Sequence, residues 1–324
     1  MKTILITGAN GFVGSNLYDS LSGDFRLIGL DITKKGSYPP GNLYGWDELN
    51  QLPPADAIIH LAGKAHDTAN TAREEEYFDI NLGLTKTIFD YFLHSGAEKF
   101  IFFSSVKAIA DTVPGDILTE ETIPDPKTPY GKSKLEAERY LVTTIEQYTL
   151  NREPGTGNPK ASSKKVYILR PAMIHGPGNK GNLNLLYNVV RKGIPWPLGA
   201  FDNRRSFASI ENVSFVVRQL LERPVEPGVY QVADDEPVST LELIRLMART
   251  LDRKPRILRL PAGLIRATAR TGDLLHFPLN SERLKKLTET YVVSNVKMKT
   301  ALGIETMPVG ALQGLERTLR SFQE

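Results

Sequence analysis

The chain of 324 residues contains no cysteine. This absence excludes disulfide bonds, thiolate catalysis, iron–sulfur clusters and cysteine-based zinc sites, and it is typical of a reducing compartment such as the cytoplasm. An excess of one charge is also lacking, because 40 Lys and Arg against 37 Asp and Glu leave a net charge of +3, too little for phosphate-dominated nucleic-acid binding. No apolar run approaches the roughly 20 residues of a membrane span. We therefore expect a cytoplasmic protein without a transmembrane segment or a nucleic-acid partner.

Short apolar runs rich in β-branched and aromatic residues alternate with longer segments of helical periodicity. This alternation predicts a doubly wound α/β fold, in which helices cover both faces of a parallel sheet. A composition of 41% hydrophobic and 24% charged residues is sufficient for a large core. The predicted strands are 3–7, 25–30, 56–61, 100–104, 166–169, 228–232 and 256–260, and the predicted helices are 11–21, 75–95, 130–148 and 240–250.

A glycine-rich sequence, TGANGFVG at residues 7–14, follows the first predicted strand and opens a helix. Such a turn lets the backbone approach a pyrophosphate, which free N–H groups and the helix dipole then stabilise. Asp31 ends the second strand 17 residues after Gly14, close to the spacing of an acid that binds the adenosine ribose. Its carboxylate would repel a 2′-phosphate, so the pattern favours NAD over NADP, although Lys34 and Lys35 keep NADP as an alternative.

Tyr130 and Lys134 lie four residues apart in the sequence YGKSK. On a helix, this spacing places the two side chains on one face and next to each other. Ser104 and Ser105 follow a predicted strand, at the carboxyl edge where ligands bind in such sheets. The order of glycine loop, Asp, Ser and Tyr/Lys therefore predicts one site at this edge.

Together these motifs resemble the extended short-chain dehydrogenase/reductase family, in particular its nucleotide-sugar epimerases, dehydratases and reductases. The resemblance extends to HLAG at 60–63, NLGLT at 81–85 and LRPAMIHGPG at 169–178. It implies a Rossmann-type sheet and a catalytic set of Ser105, Tyr130 and Lys134. Ser105 would hydrogen-bond the reacting oxygen, and Tyr130 would be the acid and base. The Lys134 ammonium and the positive nicotinamide ring of NAD⁺ both favour a phenolate at Tyr130.

The resemblance also implies which residues contact the cofactor, which is expected to be NAD. They are the residues of the glycine loop, of the loops after the strands and of the long helices, namely Gly8, Asn10, Gly11, Phe12, Val13, Gly14, Asp31, Asp47, Leu61, Ala62, Gly63, Asn81, Ser104, Tyr130, Lys134 and Pro171. For Ser104, a role as a backbone-capping hydroxyl is an equally good interpretation. The histidines show no spacing typical of a metal site, so no metal is expected.

Three residues are similar to those that bind the substrate in the family. Arg205 resembles the arginine that clamps the nucleotide diphosphate, for which a planar guanidinium is suited. Asn182 resembles an asparagine that contacts the diphosphate or the sugar. Lys107 lies in the sequence Ser104-Ser105-Val106-Lys107. This sequence resembles that of a subgroup of family enzymes from bacterial polysaccharide pathways, which act on C4 of UDP-N-acetylhexosamines.

The resemblance favours a NAD-dependent nucleotide-sugar 4-epimerase, which would remove and return hydride at C4 of a UDP-hexose or UDP-N-acetylhexosamine. A NAD(P)H-dependent reductase of UDP-4-keto sugars uses the same residues and is the alternative. A 4,6-dehydratase is disfavoured, because Val106-Lys107-Ala108 stands where the family's dehydratases carry acidic residues. A dinucleotide-binding sensor without catalysis is a third hypothesis, against which the intact Ser105, Tyr130 and Lys134 argue. The family resemblance further implies a homodimer formed through two long helices.

The predicted domains meet near residue 172. Residues 1–172 are expected to form the NAD-binding Rossmann domain, to which a strand and a helix return at about 207–235. Residues 173–324 are expected to form mainly a smaller α/β lobe for the substrate. Residues 151–165, rich in Pro, Gly and Lys, predict a solvated loop. Residues 245–286 contain eleven Lys or Arg against three acids, which indicates a solvated surface or attraction of an anionic substrate or membrane.

Overall fold

A computed structural model describes residues 1–65, 73–151, 164–179, 181–275 and 280–323. Residues 152–163 of the predicted loop lie outside the described residues. Among the described residues, no helix has the length and apolar character needed to cross a membrane. The strands are β1 (Thr3–Thr7), β2 (Arg26–Asp31), β3 (Leu43–Gly45), β4 (Ala57–His60), β5 (Lys99–Phe103), β6 (Lys165–Pro171), β7 (Met173–His175), β8 (Arg204–Arg205), β9 (Phe207–Ser209), β10 (Gly228–Val232) and β11 (Val238–Ser239).

Helices cover both faces of the main sheet and build most of the C-terminal lobe. They are α1 (Phe12–Leu21), α2 (Glu74–Phe78), α3 (Leu84–His94), α4 (Pro129–Leu150), α5 (Asn182–Arg191), α6 (Ile210–Glu222), α7 (Thr240–Thr250), α8 (Ala262–Leu275), α9 (Ser281–Thr288), α10 (Val296–Leu302) and α11 (Ala311–Ser321). The 3₁₀ turns Trp46–Gln51 and Val106–Ala108 follow β3 and β5.

The main sheet has seven strands in the order β3-β2-β1-β4-β5-β6-β10. All of its neighbouring strands are parallel. This is the doubly wound Rossmann arrangement, and the prediction of its class is confirmed. The strand order reverses between β1 and β4, so the loops after these two strands border the crevice in which ligands bind in such sheets.

Side chains alternate between two apolar layers, one on each face of the sheet. Ile4 and Ile6 of β1 pack in the layer that includes α1 and α6. Leu5 points to the opposite face, where Phe89 and Phe92 of α3 and Leu141 of α4 are fully buried. The apolar stripes of these two helices are therefore largely covered by their own sheet.

The predicted helix 75–95 is present, but a π-helical turn, Asp79–Gly83, separates α2 from α3. Such turns occur frequently at functional sites. This one contains Asn81, which is fully buried. The apolar periodicity predicted an uninterrupted helix, because a single extra residue in the helical ladder leaves that periodicity almost unchanged.

The prediction of a strand over 256–260 is wrong. This segment forms only isolated bridges, from Ile257 to Trp196 and from Arg259 to Leu198. Pro195 and Pro197 alternate in the partner segment, and proline has no N–H to donate to a ladder. The Trp196 backbone N–H donates to the Arg256 carbonyl at 2.7 Å and its carbonyl accepts from Leu258 at 2.8 Å, but pairing extends little further.

Candidate active site

The glycine loop after β1 lies against the loop after β4. Gly8 has a φ of +68°, and a Cβ at this position would lie 2.8 Å from the backbone N of Ala62. A Cβ on Gly14 would lie 2.6 Å from the carbonyl oxygen of Ala9. Only glycine fits both positions. The glycine loop can therefore pack directly against the backbone of the loop after β4 and against the start of α1. Because Gly11 at the N-cap of α1 has no side chain, the first N–H groups of this helix remain available for an anion.

Asp31 holds the glycine loop from the end of β2. Its Oδ2 accepts a hydrogen bond from the Asn10 N–H at 2.9 Å, and its Oδ1 accepts from the Ile32 N–H at 2.8 Å. The carboxylate thus caps a turn, and it still has further acceptor capacity for ribose hydroxyls.

Lys34 does not offer a free cation beside Asp31, because its Nζ pairs with Glu48 at 2.7 Å. Asp47 precedes Glu48 in the 3₁₀ turn after β3, and Gly45 of β3 pairs with Asp31. This edge of the sheet therefore carries more acidic than basic groups, which suits an unphosphorylated ribose better than a 2′-phosphate.

Asn81 connects the loop after β4 with helix α4. Its Oδ1 accepts from the Lys64 N–H at 2.7 Å, and its Nδ2 donates to the Ser133 hydroxyl at 2.9 Å. A Cβ on Gly63 would lie 2.8 Å from Asn81 Oδ1 and 3.1 Å from Lys134 Nζ. The loop that contains Leu61, Ala62 and Gly63 therefore lies beside helix α4, where the chain approaches too closely for a side chain at residue 63.

The structure brings Ser105, Tyr130 and Lys134 together. Ser105 follows β5 and is joined to the Tyr130 phenol by a side-chain hydrogen bond. Tyr130 and Lys134 lie one turn apart near the start of α4, where the Thr128 side chain caps the helix and Pro129 occupies its first position. Lys134 Nζ donates to the Phe103 carbonyl at 2.9 Å. Tyr130 and Lys134 are thus held by helix α4, and Ser105 is held at the N-cap of the 3₁₀ turn that follows β5.

Burial is the largest influence on the pKa values of Tyr130 and Lys134. It raises the pKa of the Tyr130 phenol, while the hydrogen bond with Ser105 acts in the opposite direction. It lowers the pKa of the Lys134 ammonium to about 8, and the nearby Glu138 carboxylate opposes this change. Near neutral pH, Lys134 therefore remains mostly a cation beside a neutral phenol.

Behind the site lies a buried ion pair that the sequence analysis missed. Arg170 of β6 donates from Nη2 to Glu138 Oε2 at 2.5 Å and from Nε to Oε1 at 3.0 Å. The Ser104 hydroxyl donates to the same carboxylate. Ser104 therefore bonds to a side chain rather than capping the backbone. Two signals could have revealed the pair, since Glu138 lies one turn after Lys134, and Arg170 is a charge within an apolar strand.

His60, at the end of β4, is fully buried under the glycine loop. Its Nδ1 lies 2.6 Å from the Thr7 hydroxyl, and its Nε2 lies 3.0 Å from the Thr85 hydroxyl. Burial first, and then the Lys134 charge, hold its pKa well below the usual 6.5. His60 is therefore a neutral hydrogen-bonding group that supports the loop.

This burial predicts an acid-sensitive stability. Below pH 6.5 the unfolded chain takes up a proton at His60 that the folded chain excludes, so the free energy of unfolding should fall by up to about 1.4 kcal/mol per pH unit. Above that pH the contribution is complete. Urea unfolding at several pH values should show a shallower acid slope for His60→Gln, whereas His94→Gln, at an exposed helix end, should keep the slope of the wild type. An unchanged slope in His60→Gln would contradict the assignment.

Lys107 and Arg205 both lie next to Tyr291. Lys107 Nζ is 4.0 Å from the centre of the Tyr291 ring and donates to the Asp111 carbonyl at 2.8 Å. Arg205 forms a backbone bridge with Tyr291, whose hydroxyl donates to the Ala110 carbonyl at 2.7 Å. Tyr291 thus joins the loop after Ser105 to β8, and no pattern in the sequence indicated it.

Asn182 is the exposed first residue of α5, and Pro171 ends β6.

The described residues contain no group of three or more His, Cys, Asp or Glu side chains that could hold a metal ion. The site is therefore built from hydroxyl, phenol and ammonium groups beside a glycine loop.

Comparison with known proteins identifies the family. A profile of the NAD dependent epimerase/dehydratase family matches residues 4–233. The chain belongs to this family. UDP-glucose 4-epimerase of Vibrio cholerae is 30% identical, and the alignment covers 99% of this chain and 95% of that protein. N-acetyl-alpha-D-glucosaminyl-diphospho-ditrans,octacis-undecaprenol 4-epimerase of Escherichia coli O157:H7 is 28% identical over 98% and 94% of the two chains. UDP-glucose 4-epimerase of Thermus thermophilus, solved with NAD, matches with a TM-score of 0.73 at 22% identity over 99% of both chains.

Membership of the NAD-dependent epimerase/dehydratase family establishes that the protein is an enzyme of this class and that its cofactor is NAD. The residues present fit this cofactor, because the glycine loop packs without side chains at Gly8 and Gly14 and no side chain caps the start of α1 at Gly11, where a diphosphate can accept hydrogen bonds from free N–H groups. The family match also includes Ser105, Tyr130 and Lys134 within its range. The prediction of family, fold and cofactor is confirmed.

Proposed function

We propose that this enzyme is a NAD-dependent 4-epimerase of UDP-linked hexoses or N-acetylhexosamines, with Tyr130 as its acid and base. The observation that carries the proposal is the hydrogen bond between Ser105 and Tyr130 beside Lys134, at the carboxyl edge of the sheet and next to the glycine loop. The names of the two relatives, both 4-epimerases, support the choice of C4 as the reacting carbon.

Each catalytic residue has one task in this proposal. Ser105 hydrogen-bonds the oxygen on C4 of the sugar, and Tyr130 removes its proton and later returns it. Lys134 supplies positive charge near the phenol and is held in place by the Phe103 carbonyl. NAD, when bound, would supply the hydride-transfer chemistry at C4 that inversion of this carbon requires. Because burial raises the pKa of Tyr130, we expect the positive charges of Lys134 and of the nicotinamide ring to be needed for proton transfer.

NAD binding is assigned to residues 1–172, through the sixteen cofactor residues of the sequence analysis. Asp31 would accept hydrogen bonds from the ribose, and the N–H groups at the start of α1 would face the diphosphate. The substrate is assigned mainly to residues 173–324. Arg205 and Asn182 would hold its diphosphate or sugar, and Lys107 would approach from the loop after Ser105.

A 4,6-dehydratase remains disfavoured. Loss of water needs an acid that protonates the leaving hydroxyl. The 3₁₀ turn after Ser105 carries Lys107 instead, whose Nζ donates to the Asp111 carbonyl. A protonated amine engaged in this way is poorly suited to that step.

The proposal is tested by incubating the purified enzyme with UDP-glucose, UDP-N-acetylglucosamine and UDP-N-acetylgalactosamine, and separately with a UDP-4-keto-6-deoxy sugar and NADH or NADPH. We expect interconversion at C4 without net consumption of cofactor. Stoichiometric oxidation of NADH or NADPH by the keto sugar would identify a reductase instead. Inertness toward every compound would contradict a UDP-linked substrate.

We also propose a homodimer formed through the outer faces of α3 and α4. Phe89, Phe92 and Leu141 are buried on their own sheet, but Val142 remains 39% exposed on α4. Light scattering should give twice the mass of one chain. Val142→Asp should shift the protein toward the monomer, while Val296→Asp, at an exposed position on α10, should leave the mass unchanged. A monomeric wild type would contradict the proposal.

A further inference from the structure

One continuous segment of the C-terminal lobe exposes an unusual number of cations. The basic face consists of Arg253, Lys254, Arg256, Arg259, Arg266 and Arg270, all of them exposed. Between residues 252 and 270 the only acidic residue is Asp252. The whole chain has a net charge of only +3, so the remainder of the molecule is slightly acidic and the positive charge is concentrated here.

None of the six cations of the basic face forms an ion pair with an acidic side chain in the described part of the chain. Two of them instead bind backbone carbonyls. Arg253 donates to the Arg191 carbonyl, and Arg256 donates to the Gly193 carbonyl at 3.2 Å. Arg259, Arg266 and Arg270 extend from the surface. Their charge is therefore available to an external anion.

Apolar side chains are exposed between these charges. Leu258 is 46% exposed and Leu264 is 55% exposed, whereas Ile265 and Ala269 of α8 are buried against Leu198. On helix α8, Leu264, Arg266 and Arg270 are all exposed, outside the buried stripe formed by Ile265 and Ala269. Ile194 is 50% exposed next to Arg253 and Arg256, in a groove of about 330 Å³.

We propose that the basic face docks on the surface of a membrane that contains anionic phospholipids. Exposed cations interleaved with leucine are the chemistry of interfacial binding, in which Arg and Lys meet the headgroups and apolar side chains enter the boundary below them. A nucleic acid would use the cations but would gain little from Leu258 and Leu264. The proposal does not depend on the reaction proposed above.

Flotation of the full chain with vesicles tests the docking. The protein should bind vesicles that contain phosphatidylglycerol and not vesicles of phosphatidylcholine alone, and high salt should release it because screening weakens surface charges. The combined variant Arg259→Gln, Arg266→Gln and Arg270→Gln should lower the partition coefficient about 100-fold. Leu264→Ser should lower it about tenfold.

The matched control removes the same charge elsewhere, with Lys2→Gln, Arg26→Gln and Lys297→Gln, which are exposed positions outside α3 and α4. It should bind like the wild type at low salt. The proposal would be overturned by a failure to bind anionic vesicles at low salt, by equal weakening in the control, or by binding of duplex DNA but not vesicles through the basic face. Circular dichroism of each variant separates lost binding from lost folding.

Discussion

Tyr130→Phe is expected to lower turnover by about 10²- to 10⁴-fold while NAD binding and the fold persist. The substitution removes only the phenolic oxygen, which is the group that receives the proton in the proposed reaction. The ring remains and keeps its edge contact with Tyr77, whose ring centre lies 6.4 Å away. The measurement is C4 interconversion at saturating sugar nucleotide, together with NAD affinity by fluorescence titration.

Tyr140→Phe is the matched control for this prediction. Tyr140 lies on the same helix, and its hydroxyl donates to Asp90 at 3.0 Å at an exposed position. Loss of that hydroxyl should leave turnover within about twofold of the wild type, because a surface substitution away from the site has a small effect. If Tyr130→Phe retained full turnover, Tyr130 would not be the acid and base.

Glu138→Gln is expected to lower the free energy of unfolding by about 3 to 5 kcal/mol. Glu138 and Arg170 are 3% and 6% exposed, so the substitution leaves a buried guanidinium without its counter-charge. The Ser104 hydroxyl, which donates to the same carboxylate, would also lose its charged acceptor. Urea unfolding followed by circular dichroism measures the change.

Helix α4 also provides the control for this second prediction. Glu136 pairs with Arg139 at 2.7 Å, but both side chains are largely exposed. Glu136→Gln should therefore cost no more than about 1 kcal/mol. The double variant Glu138→Met with Arg170→Met should recover most of the stability, because an apolar pair needs no buried counter-charge. Equal losses for Glu136→Gln and Glu138→Gln would show that the buried pair has no special role.

Local patterns were sufficient to predict the central sheet and the glycine loop. The predicted strands 3–7 and 228–232 match β1 and β10, and the helix 240–250 matches α7. These elements have regular periodicity and clear turn residues at their ends. The short strands β3, β7, β8, β9 and β11 were missed, since two or three residues are too few to show an alternation.

Other features of the site depend on residues that are distant in the chain. Glu138 and Arg170 lie 32 positions apart, and Tyr291 lies 181 positions from Ala110, whose carbonyl it binds. Periodicity carries no information about such pairs, because each partner is compatible with its own element alone. The prediction of a strand at 256–260 was wrong for the same reason. The prolines that limit its pairing lie in the partner segment, which is distant in the chain.

The sequence by itself therefore determined the fold class, the glycine-rich loop after β1 and the spacing of Tyr130 and Lys134 on one helix face, because these follow from turn chemistry and helical geometry. Only the tertiary structure decided that Ser105 meets Tyr130, that Ser104 and Arg170 share the Glu138 carboxylate, and that Lys107 and Arg205 meet at Tyr291. Those contacts arise when parallel strands and helices pack side by side, which places residues together regardless of their separation along the chain.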